Sequence, residues 1–374
     1  MVLQGMGWGL VHTLWIGSLL ALLTGGALRS LRRSPAWARY GVAFSGLLLV
    51  AALPIQLATF ITLKYVEHEN WVTRSVTELL VEQSDGDHSR AITGAGNAAQ
   101  VRSTVKARHD AMYPPLLSAR TARWIGIGLV GIAGLWICLA GLFFARIAAD
   151  VISLRRTTSL LANGRAERRW RTEFEALRGR MRLSVPVRLA VSPRVDVPIV
   201  VGLIRPVVLI PASTQSAVGN DHLEAILAHE LGHVRRWDLV MNLVQRCAEA
   251  TLFFHPATKW LSRWIAEERE CSTDALACRF ISGSPGDYLR ALAAVENKRL
   301  SPHRLALGVD GGDLLRRARR LKEMGRGSRM WTVAASGSLL VGLVAAAFLA
   351  NWSPPVRASV EAVMQHGLQI ASLF

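Results

Sequence analysis

Cysteine is scarce in this chain, four in 374 residues, and no pair has the C-x-x-C spacing of a thiolate zinc site. Cys138 falls inside an apolar run, and Cys247, Cys271 and Cys278 fall in a basic segment read below as cytoplasmic, where thiols stay reduced. No disulfide framework is expected. Acid is also scarce, with 27 Asp and Glu against 44 Lys and Arg and a net charge of +17. The most telling absence is of charge altogether: Trp8 to Leu28, Gly41 to Ile61, Trp124 to Ala145 and Trp331 to Ala350 contain no Asp, Glu, Lys or Arg. Burying such charges in lipid is costly, and about 20 apolar residues suffice to cross a bilayer as helix. With 51% hydrophobic residues, the chain is predicted to be a membrane protein with four spans, and an ordinary soluble protein is set aside.

No basic residue precedes the first apolar run and no small-residue cleavage site follows it, so it is read as a retained helix instead of a signal peptide. The short loop before the second span carries Arg29, Arg32, Arg33 and Arg39 with no acid to offset them. The positive-inside rule makes that loop cytoplasmic. The N-terminus, residues 62–123 and the tail 351–374 then lie outside, and residues 146–330 lie in the cytoplasm. The expected location is a bacterial inner membrane, with the bilayer as partner. The cluster Arg316, Arg317, Arg319, Arg320, Lys322, Arg326 and Arg329 runs into the last span and is read as a membrane-surface anchor, not a nucleic-acid site.

Six domain segments follow: 1–61, two spans and their loop; 62–123, an outside loop that is mobile from about Gln83 to Asp110; 124–145, the third span; 146–330, a cytoplasmic domain; 331–350, the fourth span; and 351–374, a short tail. In the cytoplasmic domain, Arg146 to Arg182 reads as helix, with Trp170, Phe174 and Leu177 at helical spacing. Residues 185–211 read as a small β-sheet, and Pro206 favours an edge position there because it cannot donate to a ladder. Asp221 as N-cap with Glu224 three residues on reads as a capping box opening the next helix. A second helix covers about Leu239 to Leu252. A third begins at Pro256 and extends through Phe280.

On the first of these helices His229 and His233 are four apart, so both imidazoles leave the same face one turn apart. Glu230 stands beside them. This H-E-x-x-H order is the metalloprotease arrangement in which zinc lowers the pKa of a water it holds towards about 7 and the glutamate is the general base. A catalytic zinc needs a third protein ligand. Glu267, Glu268, Glu270 and Asp274 are candidates on the third helix, against the plain alternative of a solvated acidic face neutralised by Arg263, Arg269 and Arg279. Glu270 and Asp274 are four apart on one helical face, so one could bind metal while the other orients a ligating histidine, and with a two-histidine site needing one more ligand Glu270 is favoured.

These residues, taken together, resemble the M56 metallopeptidases typified by the BlaR- and MecR-type antibiotic-sensing receptors. The resemblance covers most of the chain: Leu14-Trp15; residues 199–211 with V-G-L-x-R-P; residues 226–245 with H-E-L-G-H-V-R-R-W-D-L-x-x-N; Phe254-His255-Pro256; and Arg269-Glu270 leading to Asp274. It implies one zinc per chain on His229, His233 and Glu270, Glu230 as catalytic base, Asp274 as supporting acid, and a gluzincin-like α+β domain with a small sheet. It also implies a protein substrate, a cytoplasmic repressor or the chain itself, in signal transduction. Only about two dozen residues follow the last span, too few for a penicillin-binding sensor with its S-x-x-K motif, so a β-lactam receptor is not expected.

Asp238, Asn242 and His255 match the family pattern too. Asp238 and Asn242 are read as fixing helix packing, and His255 as a helix cap or, alternatively, an oxyanion donor. His12 in the first span is read as an interhelical hydrogen-bond partner. The rivals are an M48-type membrane quality-control protease, a site-2-type intramembrane protease, disfavoured because Arg235, Arg236 and Asp238 place the motif outside the hydrocarbon, and a non-proteolytic receptor or scaffold. Oligomers are compatible with the sequence.

Overall fold

The computed structural model describes residues 2–84, 118–161, 166–212, 220–299 and 311–324. The predicted fourth span, the stretch 85–117 and the C-terminal tail lie outside these residues. Three long helices come first: α1 (Val2–Ser30), α2 (Ala36–Ser84) and α3 (Ala119–Leu161), with a 3₁₀ turn at Leu31–Arg33 between the first two. Among the described residues, three helices are long and apolar enough to cross a membrane, over Val2–Arg33, Ala36–Leu63 and Arg120–Leu154. Each contains one predicted span. Leu19, Leu22 and Leu23 of α1 and Trp124, Leu135 and Leu142 of α3 are exposed, an arrangement that lipid contact tolerates and water does not.

The chain divides into two units. In the first, the start of α1 meets the second half of α2 and the first half of α3. His12 was expected to bond to another helix. Instead its Nδ1 accepts from Trp15 Nε1 at 3.0 Å and its ring stacks on Trp8, both within α1, because residues three and four apart share a helix face.

The second unit carries the remaining elements: α4 (Arg168–Arg180), β1 (Arg188–Ser192), β2 (Ile199–Val201), β3 (Val207–Pro211), α5 (Asn220–Arg235), α6 (Asp238–Thr251), α7 (Pro256–Ala277), α8 (Pro285–Arg299) and α9 (Gly311–Met324). The helix expected over 146–182 is broken. α3 ends at Leu161, and Glu167 ahead of α4 is extended, with φ −55° and ψ 156°. Trp170, Phe174 and Leu177 are buried as their spacing predicts, in one core with Leu227, Leu231, Ile210 and Tyr288.

The sheet has the order β1-β3-β2, with β1 parallel and β2 antiparallel to β3. The expectation for Pro206 is therefore corrected. It precedes the central strand, where its missing N–H costs nothing, and its carbonyl accepts from Arg188 N at 3.1 Å. All five residues of β3 are buried, and β1 and β2 are the edge strands. Gly202, at φ +93°, allows the turn that leads back from β2 to β3.

Two helix ends also differ from expectation. α5 starts at Asn220 and takes in Asp221, while the Glu224 carboxylate accepts from Ser282 N at 3.1 and 3.0 Å and pairs with Arg180 at 2.7 Å. Glu224 therefore ties the loop after α7 to α4 instead of closing a capping box. α7 stops at Ala277, short of Phe280. A second core joins Leu28, Leu31, Val42 and Leu47 from the α1–α2 junction to Leu252, Leu261 and Ile265. The short basic segment between the first two apolar helices is thus packed directly on α7.

Candidate metal centre

α5 and α7 build the site between them, and they come close because Gly232 has no side chain. A Cβ there would lie 2.9 Å from Thr273 Cγ2, nearer than real carbon atoms approach. Glycine between two metal-facing histidines weakens the helix by about 1 kcal/mol. That cost is offset by allowing α7 to lie against this turn of α5.

His229 Nε2 and His233 Nε2 are 3.3 Å apart, and Glu270 Oε2 lies 3.6 Å from the first and 3.9 Å from the second. The three side chains offer ligand atoms all within 4.8 Å of one another. Zinc bonds of 2.0–2.2 Å at tetrahedral angles require donors about 3.3–3.5 Å apart, so the set fits a zinc ion after shifts of a few tenths of an ångström.

Both other ring nitrogens are occupied. His229 Nδ1 is 3.2 Å from Asp274 Oδ1 and 2.9 Å from Tyr288 Oη, whose hydroxyl donates to Asp274 Oδ1 at 2.7 Å. His233 Nδ1 is 2.8 Å from Asp238 Oδ2. An ionised carboxylate only accepts, so each Nδ1 carries the proton and each Nε2 keeps its lone pair for a metal. Asp238 reaches His233 because Trp237, in the left-handed region at φ 58° and ψ 31°, reverses the chain between α5 and α6. For a residue with a side chain this conformation costs about 1–2 kcal/mol.

Burial alone would raise the Asp274 carboxyl, but hydrogen bonds from Arg317 and His229 hold it well below the usual carboxylate range. Arg317 reaches Asp274 with Nε at 2.7 Å and Nη2 at 2.6 Å, a two-pronged pair. Burial and the neighbouring Asp274 push the Tyr288 phenol well above its ordinary value. Burial would lower His233, yet the Asp238 hydrogen bond and the charges of Glu270 and Glu230 raise it. Cys271 and Cys278 are pushed up to about 12, chiefly by burial. Neither is a reactive thiol.

A cavity of about 330 Å³ opens over the three candidate ligands, and Glu230, Asn242, Arg269 and the edge residues Ile199 and Val200 also line it. Asn242 Oδ1 accepts from Arg269 Nη1 at 3.2 Å. His255 is elsewhere. It is the N-cap of α7 and its Nδ1 accepts from Ala257 N at 3.2 Å, about 22 Å along the helix from Glu270. That geometry agrees with the cap and leaves no place for an oxyanion donor.

A sequence profile described as BlaR1 peptidase M56 matches residues 80–299, more than half of the chain. The chain belongs to the M56 peptidase family. The M48-type reading gives way to this match. Within the family, a 101-residue stretch is 31% identical to "Regulatory protein BlaR1" of Bacillus licheniformis, covering 27% of this chain and 17% of that protein. A 93-residue stretch is 26% identical to the "Methicillin resistance mecR1 protein" of Staphylococcus aureus, covering 24% of this chain and 16% of the relative. The chain thus aligns with less than a fifth of the length of either relative.

The partners of four residues at or beside this site are not legible in the sequence. Tyr288 and Arg317 lie on α8 and α9, beyond the H-E-x-x-H helix and without a spacing rule to connect them. Glu268, a candidate ligand or else part of a solvated acidic face, is neither: its side chain is 5% exposed and 2.6 Å from Arg39. Arg39 itself was counted only as a topology signal. The basic cluster at 316–329 also needs correction. Arg317 is buried against Asp274, Arg316 pairs with Glu267 while its side chain stays 47% exposed, and Arg320 Nη1 donates to the Arg32 carbonyl at 3.0 Å, so Arg317 belongs to the interior and not to a membrane anchor.

Proposed function

We propose that this protein is a zinc-dependent endopeptidase of the bacterial inner membrane that cleaves a cytoplasmic or membrane-proximal protein, a repressor or itself, in signal transduction. The observation that carries the reading is the convergence of His229 Nε2, His233 Nε2 and the Glu270 carboxylate in one cavity with Glu230 and the edge of a sheet. The likeness to a regulatory protein supports the signalling part. In this reading α5 to α9 and the sheet form a gluzincin-like domain within residues 146–330, with 331–350 as a fourth span. The packing of Leu31 and Arg39 against α7 supports a topology in which the basic loop and the peptidase domain share the cytoplasmic side, with both termini outside.

When bound, zinc supplies Lewis-acid chemistry, acidifying water and polarising a carbonyl. His229, His233 and Glu270 would hold it, and Asp274, Tyr288 and Asp238 keep the two imidazoles in the correct tautomer and orientation. β2, an edge strand whose Ile199 and Val200 line the cavity, takes an extended peptide by strand addition. Glu230 accepts the proton of the attacking water on its carboxylate and delivers it to the leaving amine.

Zinc content and self-cleavage of the detergent-purified chain test this. One zinc per chain is expected in wild type, with loss in His229→Ala and Glu270→Gln; Glu230→Gln retains zinc and abolishes cleavage. A folded wild type that binds no zinc would sink the reading and leave a non-proteolytic receptor.

A further inference from the structure

α7 is gripped on two faces by arginines that come from segments far away in sequence. Glu268 and Glu270 are two residues apart, about 200° around the helix, so they point in opposite directions. Glu270 faces the histidines of α5. Glu268 faces the first turn of α2, where Arg39 Nη2 meets its Oε2 at 2.6 Å with side-chain exposures of 2% and 5%. Arg39 is itself fixed, its Nη1 donating to the Arg32 carbonyl at 2.9 Å. Asp274, one turn beyond Glu270 on the metal-facing side, is held by Arg317 of α9. Arg320 of α9 returns to the same Arg32 carbonyl. The segment between the first two apolar helices, α9 and the metal helix are therefore laced together around Glu270.

A buried ion pair is a poor device for stability, since a well-packed apolar pair does as well or better. What it provides is register. An apolar contact tolerates sliding, whereas a guanidinium and a carboxylate that lose alignment are left desolvated and unpaired. The surrounding core of Leu31, Leu47, Leu261 and Ile265 would accept apolar residues at 39 and 268, so the charge pair calls for a reason other than burial.

We propose that Arg39 is a positioning residue for the metal site: through Glu268 it fixes where α7 holds Glu270 against His229 and His233, tying the site to the first turn of α2. The proposal rests on the metal-site reading given above. Arg39 touches no metal-facing atom and acts only by placing the helix.

The test uses the full-length chain in detergent with Co(II) as probe, reading its visible absorption spectrum and its affinity by chelator competition. Arg39→Gln is expected to weaken Co(II) about tenfold and to alter the spectrum, and Arg39→Lys to recover part of the loss. Because Arg39→Gln leaves Glu268 buried without a partner, the double variant Arg39→Leu/Glu268→Leu removes both charges; it is expected to fold and still to bind Co(II) weakly. Leu47→Ala, in the same core and 0% exposed, is the control, expected to melt earlier with spectrum and affinity unchanged. Folded Arg39→Gln and double variants with wild-type spectrum and affinity within about twofold would overturn the positioning role. A Glu270→Gln chain that binds Co(II) as wild type does would instead overturn the metal-site reading, and the proposal with it.

Discussion

Asp238 stands only five residues beyond His233, yet it belongs to the next helix and returns to within 2.8 Å of His233 Nδ1. The left-handed Trp237 makes that return possible. Asp238 therefore fixes the His233 ring, a closer involvement with the candidate site than the packing role its position in the sequence suggested. Asp238→Asn is expected to lower zinc affinity about tenfold while leaving the helical circular dichroism unchanged. Chelator competition measures it, and undiminished affinity would count against the orienting role.

Gly232 offers a cleaner steric test. Gly232→Ala places a Cβ 2.9 Å from Thr273 Cγ2, and overpacking of this kind costs about 1–3 kcal/mol. The expected outcome is a weaker metal site, as α5 and α7 are pushed apart. Thr273→Ser removes that methyl and keeps the hydroxyl that sits 3.1 Å from Asp238 Oδ2. The double variant should therefore regain most of the zinc affinity, a rescue that would be absent if Gly232 mattered only for helix propensity.

The pH dependence of zinc binding has a definite sign. His233 lies above its ordinary 6.5, and a protonated ring has no lone pair on Nε2 to offer. Zinc affinity should rise as pH increases through 6.5 and level off only beyond the raised value. In the metal-free chain the same proton stabilises the fold fully below pH 6.5, and this contribution is lost as pH rises through the folded-state pKa. Competition titrations from about pH 5 to about pH 9 should show the midpoint moving down in Asp238→Asn, since that hydrogen bond is a main cause of the raised pKa.

Arg317 and Asp274 differ from the surface pairs on α4. Arg178 and Glu175 are 41% and 57% exposed, and breaking such a pair changes stability by well under about 1 kcal/mol. Asp274 is fully buried. Arg317→Met leaves its carboxylate without the guanidinium, at a cost of about 3–5 kcal/mol. Melting in detergent should fall sharply for Arg317→Met and hardly at all for Arg178→Met.

Sidedness is open to direct labelling. With the four native cysteines replaced, single cysteines at Arg33 and Arg178 should react alike with a membrane-impermeant thiol reagent, and only in inverted vesicles. Labelling of one site but not the other would break the topology drawn from the basic loop.

The first three apolar helices, the H-E-x-x-H face and the approach of Glu270 to it were legible in the sequence because each depends largely on local geometry. An uncharged run of about 20 residues is long enough for the bilayer whatever surrounds it, and His229 and His233 share a helix face by the 3.6-residue repeat alone. Trp170, Phe174 and Leu177 declared their buried face in the same way. Local rules failed where the partner is remote. Glu224 has the spacing of a capping box, but Ser282 and Arg180 claimed its carboxylate. Pro206 looked like an edge residue because nothing local reveals that β3 pairs on both sides. Above all, no periodicity links Arg39 to Glu268 or Arg317 to Asp274, separated by 229 and 43 positions. The sequence by itself determined the membrane class and the His229, His233 and Glu270 set that the fold brings together; only the tertiary structure decided which arginines pair with the acids around that set, because a buried charge takes whichever opposite charge folding brings within reach.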